Sequence, residues 1–161
     1  MILRPGYLAA IEERLKHNPV VALLGPRQSG KTTMAKLYAE GKPHDFFDLE
    51  SLRGLDRLQE PAAALEPLHG LVVIDEVQRK PAIFQLLRML ADRRPLPARF
   101  LILGSASPGI VRGVSESLAG RVSFVDVSGL TLAEVGPANF RQLWWRGGFP
   151  AAYTAVSDRV C

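Results

Sequence analysis

Short runs of consecutive apolar residues alternate with helix-length amphipathic stretches along most of this chain. Residues 20–25 (VVALLG) suit a strand buried on both faces. Residues 30–40 follow as a predicted helix, with Met34, Leu37 and Tyr38 at helical spacing. Residues 45–49 (DFFDL) form a shorter strand candidate, and Ser51 can cap a helix running toward Gln59. Residues 71–76 (LVVIDE) are apolar until two terminal carboxylates. Pro81 then fits the first turn of a helix whose stripe is Ile83, Phe84, Leu87 and Leu90. Residues 99–103 (RFLIL) and 122–127 (VSFVDV) are the last two strands, separated by a helix over about 110–118 that Gly120 ends. Strands alternating with helices predict an α/β fold with a mainly parallel five-stranded sheet.

The end of the chain reads differently. A short helical piece is expected around 132–135, and an aromatic-rich helix over 140–146 stops at Gly147 and Gly148. Trp144 and Trp145 are expected to pack against the sheet domain, with stacking on a base as the alternative. This divides the chain into a core at 1–128 and a lid or linker beginning at 129–161.

Composition narrows the options. The 161 residues suffice for one domain with a core, and at 47% hydrophobic and 22% charged they do not resemble a disordered chain. The net charge of +4 permits contact with nucleic acid without demanding it. The single cysteine, Cys161, excludes an intramolecular disulfide and a cysteine-rich metal site. Apolar runs are far shorter than a membrane helix, and Glu12, Glu13, Arg14 and Lys16 interrupt any signal-peptide core. A cytoplasmic protein without membrane attachment is the expectation.

The most specific chemistry lies between the first strand and its helix. Gly25, Pro26, Arg27, Gln28, Ser29, Gly30, Lys31 and Thr32 match G-x-x-x-x-G-K-[ST] at every fixed position. A random chain of this composition would show the pattern with a frequency of about 0.003. Backbone N–H groups can ring phosphate oxygens only where side chains leave room, which Gly25 and Gly30 allow. The starting helix adds its own unpaired N–H groups and positive dipole end. Lys31 would reach the β- and γ-phosphates, the Thr32 hydroxyl would bind Mg²⁺, and Thr33 would touch the α-phosphate.

Asp75 and Glu76 end the third strand at the sheet edge where ligands of parallel sheets bind. Asp75 is expected to hold Mg²⁺. Glu76, on the other side of the strand, would polarise an attacking water. A strand ending in solvent is the plain alternative. Ser105, after the fourth strand, is a candidate contact for the γ-phosphate or the water; a turn serine is the alternative. Arg121 is a candidate for stabilising transition-state charge, within one chain or across a subunit boundary, against an ordinary surface ion pair. Arg112 is a weaker candidate, and Arg141 and Arg146 would serve only if the tail folds back. His17, His44 and His69 show no ligand-like spacing.

The segments GPRQSGKTT, LVVIDEVQRKP, FLILGSASP, ESLAGR and RGGFP, in this order, resemble the AAA+-like ATPases of the AAA_14/DUF4143 architecture over about residues 1–155. The resemblance implies a P-loop NTPase three-layer sandwich with strand order 5-1-4-3-2. It also implies adenine as the base and ATP with Mg²⁺ as cofactors. By position, Lys31 and Thr32 look like Walker A residues, Asp75 and Glu76 like Walker B, Ser105 like the sensor-1 residue, and Arg121 stands where an arginine finger is expected. Ring assembly is common in AAA+ proteins, so a second copy is a candidate partner. Members of the family continue past the GGFP region into a second domain, whereas this sequence ends at Cys161. The leading reading is an Mg²⁺-dependent ATPase that couples nucleotide state to an unidentified macromolecule. An ATP-binding interaction module that does not hydrolyse, and a DNA-associated protein motivated only by the charge, stand beside it.

Overall fold

The computed structural model describes residues 2–156; Cys161 and the stretch 157–161 lie outside the described residues. Five strands form one sheet: β1 (Val20–Leu24), β2 (His44–Asp48), β3 (Gly70–Asp75), β4 (Ala98–Gly104) and β5 (Val122–Asp126). Their order is β2-β3-β4-β1-β5, and every pairing is parallel. This is the order 5-1-4-3-2 read from the other edge. All five strands therefore end at one edge of the sheet.

Period-2 alternation splits each central strand between two cores. Val20, Ala22 and Leu24 face one side with Val72, Ile74, Phe100 and Ile102. That side is covered by α3 (Leu52–Arg57), α4 (Pro61–Leu65), α5 (Ile83–Ala91) and α6 (Pro108–Ser117). The expected stripe of Ile83, Phe84, Leu87 and Leu90 is buried in it. Val21 and Leu23 face the other side with Val73, Leu101 and Leu103, under α1 (Pro5–His17) and α2 (Lys31–Ala39). Burying one such Leu or Ile contributes about 1.5–3 kcal/mol, so the strands read as unbroken apolar runs because both faces are covered.

Ser51 caps α3 as expected, its Oγ accepting from the Gly54 N–H at 3.0 Å. Pro81 does not open α5. A 3₁₀ turn at Val77–Arg79 comes first, Pro81 then lies in a turn at 81–82, and the helix starts at Ile83. The helix α1 is an unanticipated element. Tyr7, Leu8, Ile11 and Leu15 make its inner face, and Pro5 sits in its first turn, where a missing N–H does no harm.

The tail forms α7 (Leu132–Val135), α8 (Phe140–Arg146) and α9 (Pro150–Tyr153). It folds back onto the core: the Leu130 N–H donates to Gly148 O at 2.5 Å, and Tyr153 is buried. The expectation for the tryptophans fails. Trp144 is 80% and Trp145 74% exposed, because α8 turns its Gln142, Leu143 and Arg146 side inward. Trp144 stacks instead on the exposed ring of Phe140, with centroids 6.1 Å apart. Among the described residues, no helix is long and apolar enough to cross a membrane.

Candidate nucleotide-binding site

The loop between β1 and α2 lies at the carboxyl edge of the sheet, where three strand ends converge. The Gly25 N–H donates to Gly104 O at the end of β4, and the Val127 N–H, just past β5, donates to Leu24 O. A Cβ at Gly25 would stand 2.3 Å from the Val127 carbonyl oxygen. Glycine is thus required here by the approach of the β5 end, a constraint that the loop pattern alone does not contain. Gly30 has φ +90°, a left-handed conformation that opens α2 and that side chains resist. Gln28 also has positive φ, at 62°.

Lys31 is 5% exposed. Its ammonium donates to Gly25 O at 3.0 Å and Pro26 O at 2.7 Å, so the loop curls around its own lysine. Burial pushes the lysine below its ordinary value, against the attraction of Glu76 and Asp75. Ser29 is buried and donates its hydroxyl to Pro26 O at 2.9 Å. Pro26, Arg27, Gln28 and Thr33 are exposed. Arg27 stands 3.6 Å from Glu50, just past β2.

Asp75 is 3% exposed and accepts the Thr32 hydroxyl at 2.6 Å. Burial raises its pKa, opposed by the bonds from Thr32 and from the Glu76 N–H. A hydroxyl and a carboxylate in contact are hard oxygen donors, the set that Mg²⁺ prefers. Glu76 leaves the strand with φ 54° and accepts from the Gln78 amide. That φ swings it out of the strand direction into a polar cavity of about 410 Å³ shared with Arg27, Gln28, Thr32 and Glu50. Ser105 is half-buried at the same edge, directly after Gly104. Its hydroxyl reaches that of Ser107 at 3.4 Å.

Arg121 is not brought to this site. It precedes β5 and so lies at the amino edge of the sheet, opposite the loop. Its guanidinium binds Asp92 through two bonds of 2.6 and 2.8 Å, which raise the Arg121 pKa and lower that of Asp92. That placement keeps Arg121 away from the 25–32 loop of its own chain. Arg112 pairs with Glu116 along α6, and Arg146 donates to Tyr153 O and Ala155 O within the tail.

Sequence reasoning missed two parts of the site. One is a second cavity, of about 260 Å³, on the Gly30 and Thr33 side of the loop. Ile2, Leu8, Met34, Leu37, Leu130 and Pro150 give it mainly apolar walls, with Arg4 also on its lining. These residues come from four separated stretches, so no local motif announces them. The other is Arg4, which donates to Ser29 O within the loop at 3.2 Å. The Arg-Pro step before an amphipathic run was its one available signal.

Comparison with known proteins agrees with this architecture. Residues 17–136 match the AAA_14 family, described as an AAA domain. The chain is 49% identical over 158 residues to the uncharacterized proteins Rv2008c of Mycobacterium tuberculosis and Mb2031c of Mycobacterium bovis. The match takes in 98% of this chain and 36% of each relative, so the chain spans about a third of their length. The fold is similar to the Walker-type ATPase PABY2304 of Pyrococcus abyssi, with a TM-score of 0.64 and 16% identity over 93% of this chain and 65% of that one. It is also similar to AMPPCP-bound DnaA of Aquifex aeolicus, with a TM-score of 0.59 and 14% identity over 95% and 60% of the two chains. With the family matched over most of its length and the sheet order of a P-loop ATPase, the chain belongs to the AAA_14 family of AAA domains.

Proposed function

We propose that this chain binds ATP with Mg²⁺ across the 25–32 loop and hydrolyses it. One observation carries the reading: the loop separates two cavities of opposite character. The polar one meets Glu76 and Thr32, and the apolar one meets Gly30 and Thr33. A nucleoside triphosphate has the same polarity, with a charged end to be attacked and a flat base to be buried.

In this reading the amides of residues 25–32 and the start of α2 receive the phosphates. Lys31 gives up its two loop carbonyls for β- and γ-phosphate oxygens, which restore the charge partner that burial denies it. Thr32 and Asp75 hold Mg²⁺, which neutralises phosphate charge when bound. Glu76 accepts the proton of the attacking water from within the polar cavity. Ser105 orients the γ-phosphate or that water. The apolar cavity accepts the adenine ring.

Coupling to a macromolecular partner, and assembly of copies into a ring, complete the proposal. Phosphate release from ATP, with and without Mg²⁺, in the wild type and in Lys31→Ala, tests the enzyme. A second reading, an ATP-binding interaction module without turnover, draws support from the exposed Phe140, Trp144 and Trp145. Tight ATP binding with no phosphate release would select it.

A further inference from the structure

Arg4 is a cation the protein encloses. The residue is 4% exposed. Its fork holds both oxygens of Glu134, at 2.5 and 3.1 Å. The same guanidinium donates to Ser29 O at 3.2 Å, Ser128 O at 3.0 Å and Gly129 O at 3.1 Å. It also lies 4.4 Å over the Tyr7 ring. Glu134 is itself committed, accepting from the Thr131 N–H in the capping box of α7.

A buried ion pair is poor evidence of stability, because apolar residues of similar volume usually hold a fold as well. An arginine offers fixed direction instead: a planar fork that sets several acceptors relative to one another. Its acceptors here lie in the phosphate loop and in the 128–134 stretch that leads into the tail. The grip on Ser29 O has a covalent consequence. Ser29 O and the Gly30 N–H belong to one planar trans peptide and point in opposite directions. Holding the carbonyl toward Arg4 aims that N–H away from it. Gly30, at φ +90°, has no side chain to oppose another orientation.

We propose that Arg4 is the positioning residue of the phosphate loop: it orients the Ser29–Gly30 peptide for phosphate and registers the loop against residues 128–134. This rests on the reading that the loop receives ATP phosphates. Arg4 also lines the cavity assigned to the base, so its action through the loop is read from the exchange of residues 26–30 together with affinity, not from affinity alone. Its loss is therefore felt in binding more than in the chemical step.

The test uses the full chain with Arg4→Lys, which keeps the charge and loses the fork, and the charge-free pair Arg4→Met/Glu134→Leu, which leaves no unpaired buried charge. ATP affinity is measured by calorimetry, kcat by phosphate release, and local order by amide hydrogen exchange without nucleotide. Arg4→Lys should weaken ATP about tenfold and leave kcat at saturation within about twofold, because it acts through the loop backbone and not on Glu76. Amides of residues 26–30 and 128–132 should exchange faster together. The charge-free pair should still unfold cooperatively, at a lower Tm because the carbonyls of Ser29, Ser128 and Gly129 lose their donor, and show the same loss of affinity. Wild-type affinity in Arg4→Lys with unchanged exchange at 26–30 would overturn the proposal, as would wild-type affinity in the charge-free pair. If the wild type binds no ATP while the exchange result holds, the ATP reading falls and the positioning of the loop by Arg4 stands.

Discussion

Thr32 and Asp75 lie 43 residues apart in sequence, yet the threonine hydroxyl donates to the aspartate at 2.6 Å. The bond joins the first turn of α2 to the end of β3. It also holds a carboxylate that burial makes reluctant to ionise. That tension between folding and function yields the first prediction.

Asp75→Asn should stabilise the nucleotide-free chain by about 1 kcal/mol, or ~2–4 °C in Tm, while abolishing Mg²⁺-dependent turnover. The sign follows from the raised pKa. The folded state holds this proton more tightly than the unfolded chain does. The contribution of Asp75 therefore favours folding below its raised value and is lost as pH rises through it. Asparagine imitates the protonated form at every pH. Thermal unfolding from pH 4 to 8 should show the variant's advantage widening with pH and then levelling. A variant less stable than wild type at pH 7 would refute the account.

Lys31→Ala should raise the Kd for ATP by about a hundredfold or more, since a desolvated ammonium makes charge-assisted bonds to phosphate. Calorimetry on folded protein measures it. A loss below tenfold would remove Lys31 from the phosphate site.

In Glu76→Gln, ATP binding should stay within about threefold of wild type while kcat falls by about 10²–10⁴, the usual range for a lost general base. Single-turnover phosphate release separates the two quantities. Retained turnover would show that another group activates the water.

Acid should loosen the contact between the loop and the tail. Burial opposes ionisation of Glu134, but hydrogen bonds from Arg4 and Thr131 outweigh it and hold the carboxyl below the ordinary glutamate range. Its contribution to stability is complete above the unfolded value and disappears as pH falls through the lowered one. Glu134→Gln should flatten that acid limb in unfolding curves recorded from pH 2.5 to 6. An unchanged limb would show that the Arg4 pair carries none of it.

Arg121→Ala should leave ATP affinity within about twofold, because the residue lies at the opposite sheet edge and effects of separated sites are independent. Turnover measured on monomeric chain should also be unchanged. Turnover lower in Arg121→Ala than in wild type at equal dilution, with both monomeric, would mean that Arg121 reaches the nucleotide of its own chain after all.

The strands and the loop at 25–32 were legible because each depends on neighbours in sequence. An apolar run, a glycine at a helix start and a lysine beside a threonine are local patterns with local causes. The helix α1 was harder to read. Only Ile11 and Leu15 are fully buried on it, and its many charges face solvent. Trp144 and Trp145 misled for the opposite reason: large apolar rings suggest a core, but whether α8 turns them inward depends on what else is packed there. Arg121 carries suitable chemistry, but which sheet edge it occupies depends on strand direction, and that edge leaves only the reading across a subunit boundary.

By itself the sequence determined the parallel α/β alternation, the loop at residues 25–32 and the carboxylates at 75 and 76, since hydrophobic period and backbone freedom act over a few residues. Only the tertiary structure decided that Arg4 grips the loop, that Val127 forbids a side chain at Gly25, and that an apolar cavity opens beside Gly30. Each of these joins groups far apart along the chain, and their distances exist only once the sheet has closed its order and the helices have covered it.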